Sequence, residues 1–178
     1  SDYLRLAMNP FILMMGISYF CIKFLRYSLD WWLPTFLNLQ GMTAANSAIS
    51  SGLFDVMGLA GAVLAGLALD RVFKGNWAGL CLIISIGMIV AYALMFTFGT
   101  SPMMTVLCSG FIGLMVYGPD TILAGAAAVQ VAGEKNGGAV AGVVNGVASL
   151  GPIVQQEVYA WLLKGDPQAG MVNANLMG

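Results

Sequence analysis

Five long apolar stretches, separated by short polar breaks, dominate the chain. The first runs from about Pro10 to Leu37 and gives way to the polar "NLQGMTAANS". The second spans about Ala44 to Leu69 and ends in "DRVFKGN". The third, about Trp77 to Phe98, has almost no polar position. "GTSP" interrupts the pattern, and Pro102 opens a fourth stretch, about Pro102 to Ala132. "GEKNGG" reads as a turn, and the fifth stretch runs from about Gly138 to Leu163. The tail, residues 164–178, is polar and Gly-rich and reads as a loop. At 1.5 Å per residue each stretch, as a helix, can cross a hydrocarbon core of roughly 30 Å. Proline at the head of the first and fourth suits a helix start. The pattern predicts an all-α, polytopic membrane helix bundle.

Composition narrows this further. Of 178 residues, 59% are hydrophobic and 8% charged, whereas a soluble domain carries about a quarter charged residues. The 23 glycines fit helices that pack closely inside a bilayer. A net charge of −1 gives no reason to expect nucleic acid as a partner. With no histidine there is no His-based metal site, and neither metal nor cofactor is expected. Cys21, Cys81 and Cys108 lie in separate apolar runs and read as packing residues. The chain opens "SDYLRLAMNP" without a starting Met, as a fragment or a processed chain would. With the first residues cytoplasmic, Arg5, Arg71, Lys74 and Lys135 fall on the cytoplasmic side and only Lys164 on the other. That asymmetry follows the positive-inside rule.

The charges inside the apolar stretches call for a reason. At about 100° per residue, Tyr19, Arg26, Asp30 and Pro34 all fall within about 60° of Lys23 on one face of the first helix. The rest of that helix is mostly Leu, Ile, Phe and Met. Facing lipid, each charge near the bilayer centre would cost about 2.5–3.5 kcal/mol on insertion scales. The stripe therefore faces protein or a watery cavity. One reading is internal pairing, with Arg26 or Lys23 bound to Asp30. The other is a ligand site, in which the planar fork of Arg26 grips two oxygens of an anion. Trp31 and Trp32 are expected to anchor the interface or to pack.

Asp55, midway along the second helix, is a candidate partner for Lys23 or Arg26. "VYGPD" places Tyr117 and Asp120 around a Gly-Pro pair in the fourth helix, where Pro119 removes a backbone donor and predicts a kink. The fifth helix puts Asn145, Ser149, Pro152 and Gln156 on one face. The third helix has no polar stripe and is expected at the periphery. Asp30, Asp55, Asp120 and Glu157 outnumber Lys23 and Arg26, so an anion site here needs acids that are paired or protonated, or further positive charge from elsewhere.

"GLALDRVFKGN", Gly66 to Asn76, resembles the loop motif of the major facilitator superfamily between helices eight and nine. "FLRYSLDWWLPTFL" (residues 24–37), "DRVFKGN" and "YGP", in this order, resemble the organophosphate:phosphate antiporters of that superfamily. The resemblance covers nearly the whole chain. It implies the C-terminal half of the fold, helices seven to eleven, with the twelfth and the N-terminal six-helix half absent. It also implies alternating access about a midplane site, with one arginine from each half on the substrate phosphate. Arg26 falls on the helix-seven arginine, Asp55 on an acidic helix-eight position, and Tyr117 on a helix-ten aromatic near the ligand. Asp70, Arg71 and Lys74 fall on a latch at the cytoplasmic ends of the helices.

Departures leave the substrate open. Lys23 stands where the glycerol-3-phosphate carrier has a tyrosine, and Ala141 and Val144 stand where the hexose-phosphate carrier has an aspartate and a lysine. Asp120 is unusual directly after the Gly-Pro. The resemblance implies a secondary transporter exchanging a phosphorylated metabolite for inorganic phosphate, located in a bacterial inner membrane. Arg26, Lys23, Tyr19, Asp30, Tyr117, Asp120 and Asn145 are the expected substrate-binding residues. The alternatives are a sugar-phosphate sensor of the same fold, or a proton-coupled carrier of another small molecule. An enzyme is not expected, because no nucleophile–base pair or metal cluster is visible.

Overall fold

The computed structural model describes residues 8–163. It holds five helices long and apolar enough to cross a membrane: α1 (Pro10–Leu39), α2 (Ala44–Arg71), α3 (Trp77–Phe98), α4 (Pro102–Gly133) and α5 (Lys135–Leu162). Each matches one apolar stretch to within a few residues. Arg5, Lys164 and the 164–178 tail, used above for orientation and as a loop, lie outside the described residues.

Polar side chains open four of the helices. Asn9 Oδ1 accepts from the Phe11 N–H at 2.9 Å and Asn76 Oδ1 from the Gly79 N–H at 3.0 Å. Thr43 and Ser101 accept in the same way from Asn46 and Met104. Each takes a backbone donor that the first turn of a helix leaves without a partner.

Lipid tails are as apolar as leucine, so close fit rather than removal from water holds these helices together. The tightest seam joins α2 to α4, which run parallel. A Cβ added at Gly61 would lie 2.0 Å from the Leu114 carbonyl oxygen, and one at Gly113 would lie 2.3 Å from that of Phe54. Gly58 takes the Tyr117 ring and Gly118 takes the Ala65 methyl. A second parallel seam joins α1 to α5, with Gly16 against Val147 and Gly151 against the Phe20 carbonyl. α3 sits outside, as expected from its lack of a polar stripe. Leu82, Ile83, Ile86 and Ile89 are exposed, while Leu80, Met88 and Ala91 face inward. It does carry one polar tie to the interior: the Tyr92 hydroxyl donates to the Leu25 carbonyl at 2.8 Å.

Two local features differ from the sequence expectation. "GEKNGG" is not a loop of several residues. The chain breaks at Gly133 alone, with φ 73 and ψ 164, and is helical again from Lys135. Only glycine reaches that backbone region without strain, so a single residue makes the turn. In α4, Pro119 is accommodated inside the helix, and the five residues Ile122–Ala126 just beyond it wind as a π-helix. The irregularity that the sequence predicts at Pro119 takes the form of this wider turn, three residues further on.

Candidate functional site

The polar face of α1 turns inward, toward α4 and α5. Arg26 Nη1 donates to Asp120 Oδ2 at 2.7 Å, and its Cζ lies 4.0 Å from the Tyr117 ring centroid. Gly118 and Asp120 explain the geometry. Gly118 lets α4 close on α2, and two residues later the helix has turned by about 200°, which points Asp120 away from α2 and toward α1. Asp120 is buried and Arg26 half-buried, with side-chain exposures of 11% and 19%.

Tyr117 stands between a cation and an acid. Its ring faces the Arg26 guanidinium, its hydroxyl donates to Asp55 Oδ1, and Phe54 packs edge-on against it at 5.8 Å. The expectation that Asp55 pairs with Lys23 or Arg26 is therefore corrected. Asp120 is the acid on Arg26, and Asp55 reaches the cation only through the tyrosine. The reason is position: Asp55 is exposed on α2, and the Tyr117 side chain fills the space between it and α1. Pairing of Asp30 with Lys23 or Arg26 is likewise not found. Asp30 is half-buried and makes no ion pair among the described residues.

Lys23 has different company. Its ammonium donates to Asn145 Oδ1 at 2.7 Å and to Ser149 Oγ at 3.4 Å, and lies 4.9 Å from the Tyr19 ring centroid. Tyr19 itself is buried. The site thus draws on α1, α2, α4 and α5 and brings together Tyr19, Lys23, Arg26, Asp55, Tyr117, Asp120 and Asn145. Asp70, Arg71 and Lys74 are remote from it, all exposed near the α2–α3 turn, and make no ion pair among the described residues.

The two tryptophans divide the expected roles. Trp32 stacks on Tyr159 of α5 at 5.7 Å and 23°, while Trp31 is 53% exposed. On α5 the face that meets α1 is Val140, Val144, Ala148, Gly151 and Gln155, all buried. The Asn145, Ser149, Pro152 and Gln156 face stands roughly a quarter turn away, and Lys23 reaches across to it. Sequence reasoning passed over Gln155, which is 0% exposed and has no hydrogen-bond partner on either side-chain polar atom. The signal was the i, i+4, i+7 series of small and apolar residues that Gln155 extends by one turn.

Chemically, the site offers two cations side by side at the inner face of a membrane-crossing bundle. Among the described residues no group of His, Cys, Asp and Glu is placed to hold a metal. The Arg26–Asp120 pair is joined by one hydrogen bond, and Arg26 Nε and Asp120 Oδ1 are both buried without partners. An anion with several oxygens could satisfy this fork more fully than Asp120 does.

No family model matches the chain. It is 28% identical over 148 residues to the membrane sensor protein UhpC of Escherichia coli (strain K12), covering 81% of this chain and 33% of that protein. It is 27% identical over 145 residues to the glycerol-3-phosphate transporter of Bacillus subtilis (strain 168), covering 80% and 32%. It is 28% identical over 159 residues to sugar phosphate exchanger 3 of Bos taurus, covering 83% and 31%. The chain thus spans about a third of the length of these curated relatives. The relatives are transporters, exchangers and a sensor rather than enzymes, and with five membrane-crossing helices the chain is a multi-pass membrane protein.

Proposed function

The chain belongs to the organophosphate:phosphate antiporter family of the major facilitator superfamily, and from that premise we propose that it forms part of a secondary transporter. That transporter exchanges a phosphorylated small metabolite, of the sugar phosphate or glycerol phosphate class, for inorganic phosphate. The observation that carries this reading is the half-used pairing of Arg26. The guanidinium is held in place by Asp120 and Tyr117, yet its Nε has no partner. A phosphate group would take two of its donors, and Asp120 would be displaced. Inorganic phosphate and the organophosphate would use the same fork.

Displacement gives exchange its logic. With the site empty, the Arg26–Asp120 pair ties α1 to α4. Binding of either phosphate compound breaks the tie, so the helices are freed to rearrange only when the site is occupied. The mechanism is alternating access, with these helices as numbers seven to eleven of the fold and a second, N-terminal half closing the cavity and adding a further arginine. The exposed Asp55 lies on the side open to that half. Arg71 and Lys74 at the α2–α3 turn and Lys135 at the start of α5 lie at one end of the bundle, and by the positive-inside rule that end is cytoplasmic. Asp70, Arg71 and Lys74 act there as a latch against the other half. A bacterial inner membrane is the proposed location.

The test is counterflow in proteoliposomes made with the complete gene product and loaded with inorganic phosphate. Arg26→Lys keeps the charge and loses the two-pronged grip, so uptake should fall by at least about tenfold. Full activity of Arg26→Lys would refute the assignment. A second reading, a membrane sensor that binds a sugar phosphate without moving it, is favoured by the likeness to a protein named as a sensor. Saturable phosphate-ester binding with no exchange would select it.

A further inference from the structure

The two cations of the site are not equivalent. Arg26 faces a carboxylate at 2.7 Å, whereas Lys23 faces only neutral acceptors, Asn145 Oδ1 and Ser149 Oγ, and makes no ion pair among the described residues. Lys23 is 9% exposed. The nearest acid on the facing helix, Asp120, is already engaged with Arg26, and Asp55 is engaged with Tyr117. Among the described residues no carboxylate lies within ion-pair distance of that ammonium, so a bound anion can supply its counter-ion. Asn145 and Ser149 are both exposed, so the side from which they hold Lys23 is open to a ligand.

Resting on the transport reading above, we propose that the substrate carries two anionic groups: a phosphate ester for Arg26 and a carboxylate for Lys23. The two residues are three apart on one helix, which sets their Cα atoms about 4.5 Å apart along the axis. That spacing suits a short phosphorylated hydroxy acid, in which a few carbons separate phosphate from carboxylate. The roles follow from the side chains. The planar fork of arginine matches phosphate oxygens two at a time, and the compact lysine ammonium acts as a point charge for the second group. Asn145 and Ser149 position the ammonium and do not neutralise it. A phosphate ester of a neutral alcohol would fill the Arg26 subsite and leave Lys23 unbalanced.

The experiment uses the full-length protein in proteoliposomes loaded with inorganic phosphate. It compares uptake of 3-phosphoglycerate with that of glycerol 3-phosphate, which keeps the phosphate and the three carbons and lacks the carboxylate. In the unmodified protein 3-phosphoglycerate should half-saturate at a concentration about tenfold lower, and should inhibit glycerol 3-phosphate uptake at correspondingly low concentration. Lys23→Gln should remove that preference, weakening 3-phosphoglycerate by about tenfold more than it weakens glycerol 3-phosphate. Lys23→Arg should keep the preference. Equal affinity of the unmodified protein for the two compounds would overturn the proposal without any variant. Equal losses for both compounds in Lys23→Gln would also overturn it and leave Lys23 as a strap between α1 and α5. If neither compound exchanges for phosphate while glucose 6-phosphate does, this proposal fails and the transport reading stands; if none of the three exchanges, both fail.

Discussion

Arg26 and Asp120 are joined by one hydrogen bond, 2.7 Å between Nη1 and Oδ2, where an arginine–carboxylate pair can form two. The pair is a strong enough tie to matter for stability and a weak enough one to be displaced. Removing one partner strands the other. Arg26→Gln should destabilise the detergent-solubilised protein by about 3 kcal/mol, the lower end of the range for a buried pair, since neither side chain is fully sealed. Arg26→Gln with Asp120→Asn should recover most of that stability and no transport. Thermal unfolding of the three proteins measures it. A double variant as unstable as the single one would show that the pair is not what ties α1 to α4 here.

Asp120→Asn alone separates the carboxylate's two roles. It removes the competitor for the guanidinium, so the half-saturating concentration of inorganic phosphate should fall by about tenfold. The maximum exchange rate should fall as well, because release of phosphate no longer re-forms the tie. Measured initial rates across phosphate concentrations decide the point. A raised half-saturation value would make Asp120 a binding group rather than a competitor.

The α2–α4 seam makes the sharpest structural prediction. Side chains at Gly61 and Gly113 would run into the Leu114 and Phe54 carbonyl oxygens, at 2.0 Å and 2.3 Å. Backbone cannot move aside as a side-chain tip can, so Gly61→Val and Gly113→Val should each prevent a monodisperse protein on size-exclusion chromatography. Gly52, on the same helix, has open space where its Cβ would go. Gly52→Ala should leave the protein intact and gain up to about 1 kcal/mol of helix propensity.

The helices were legible because each one is a single apolar run with polar punctuation, and four of those polar residues turn out to be caps. The stripe on α1 was legible for the same reason, since a helix of known pitch fixes which side chains share a face. Partner choice was not. Asp55 and Asp120 look alike as acids within apolar runs. What decides between them is that Asp120 lies about 200° round α4 from Gly118, on the side toward α1, while the Tyr117 ring fills the gap in front of Asp55. Tertiary packing of that kind has no local periodicity. The same holds for α5, where the sequence picks out the polar edge but not the neighbouring apolar face that meets α1.

Trp31 and Trp32 test whether adjacent aromatics carry different loads. Trp32 stacks on Tyr159 and so fastens α1 to α5, whereas Trp31 is 53% exposed. Trp32→Ala should cost about 3 kcal/mol, from lost packing together with the lost ring pair. Trp31→Ala should cost well under 1 kcal/mol and remain well folded. Unfolding temperatures in the same detergent compare them directly, and equal losses would contradict the division.

Gln155 is the residue whose presence the packing explains least, and that makes its substitution informative. It is fully buried on the α1-facing side of α5, between Gly151, which meets Phe20, and Tyr159, which meets Trp32. Neither its amide oxygen nor its amide nitrogen has a partner. Two buried polar atoms without hydrogen bonds cost on the order of 1–3 kcal/mol each. Gln155→Met, close in volume and without polar atoms, should therefore raise stability, by about 1 kcal/mol or more after allowance for imperfect packing. If the packing of α1 on α5 is all that the position serves, exchange should be unaffected. A stabilised protein with slowed exchange would instead show that the amide finds its partners in another conformation of the transport cycle, one in which α5 has shifted against α1. A destabilised Gln155→Met would mean that the amide is already satisfied, and the unpaired reading of this site would be wrong.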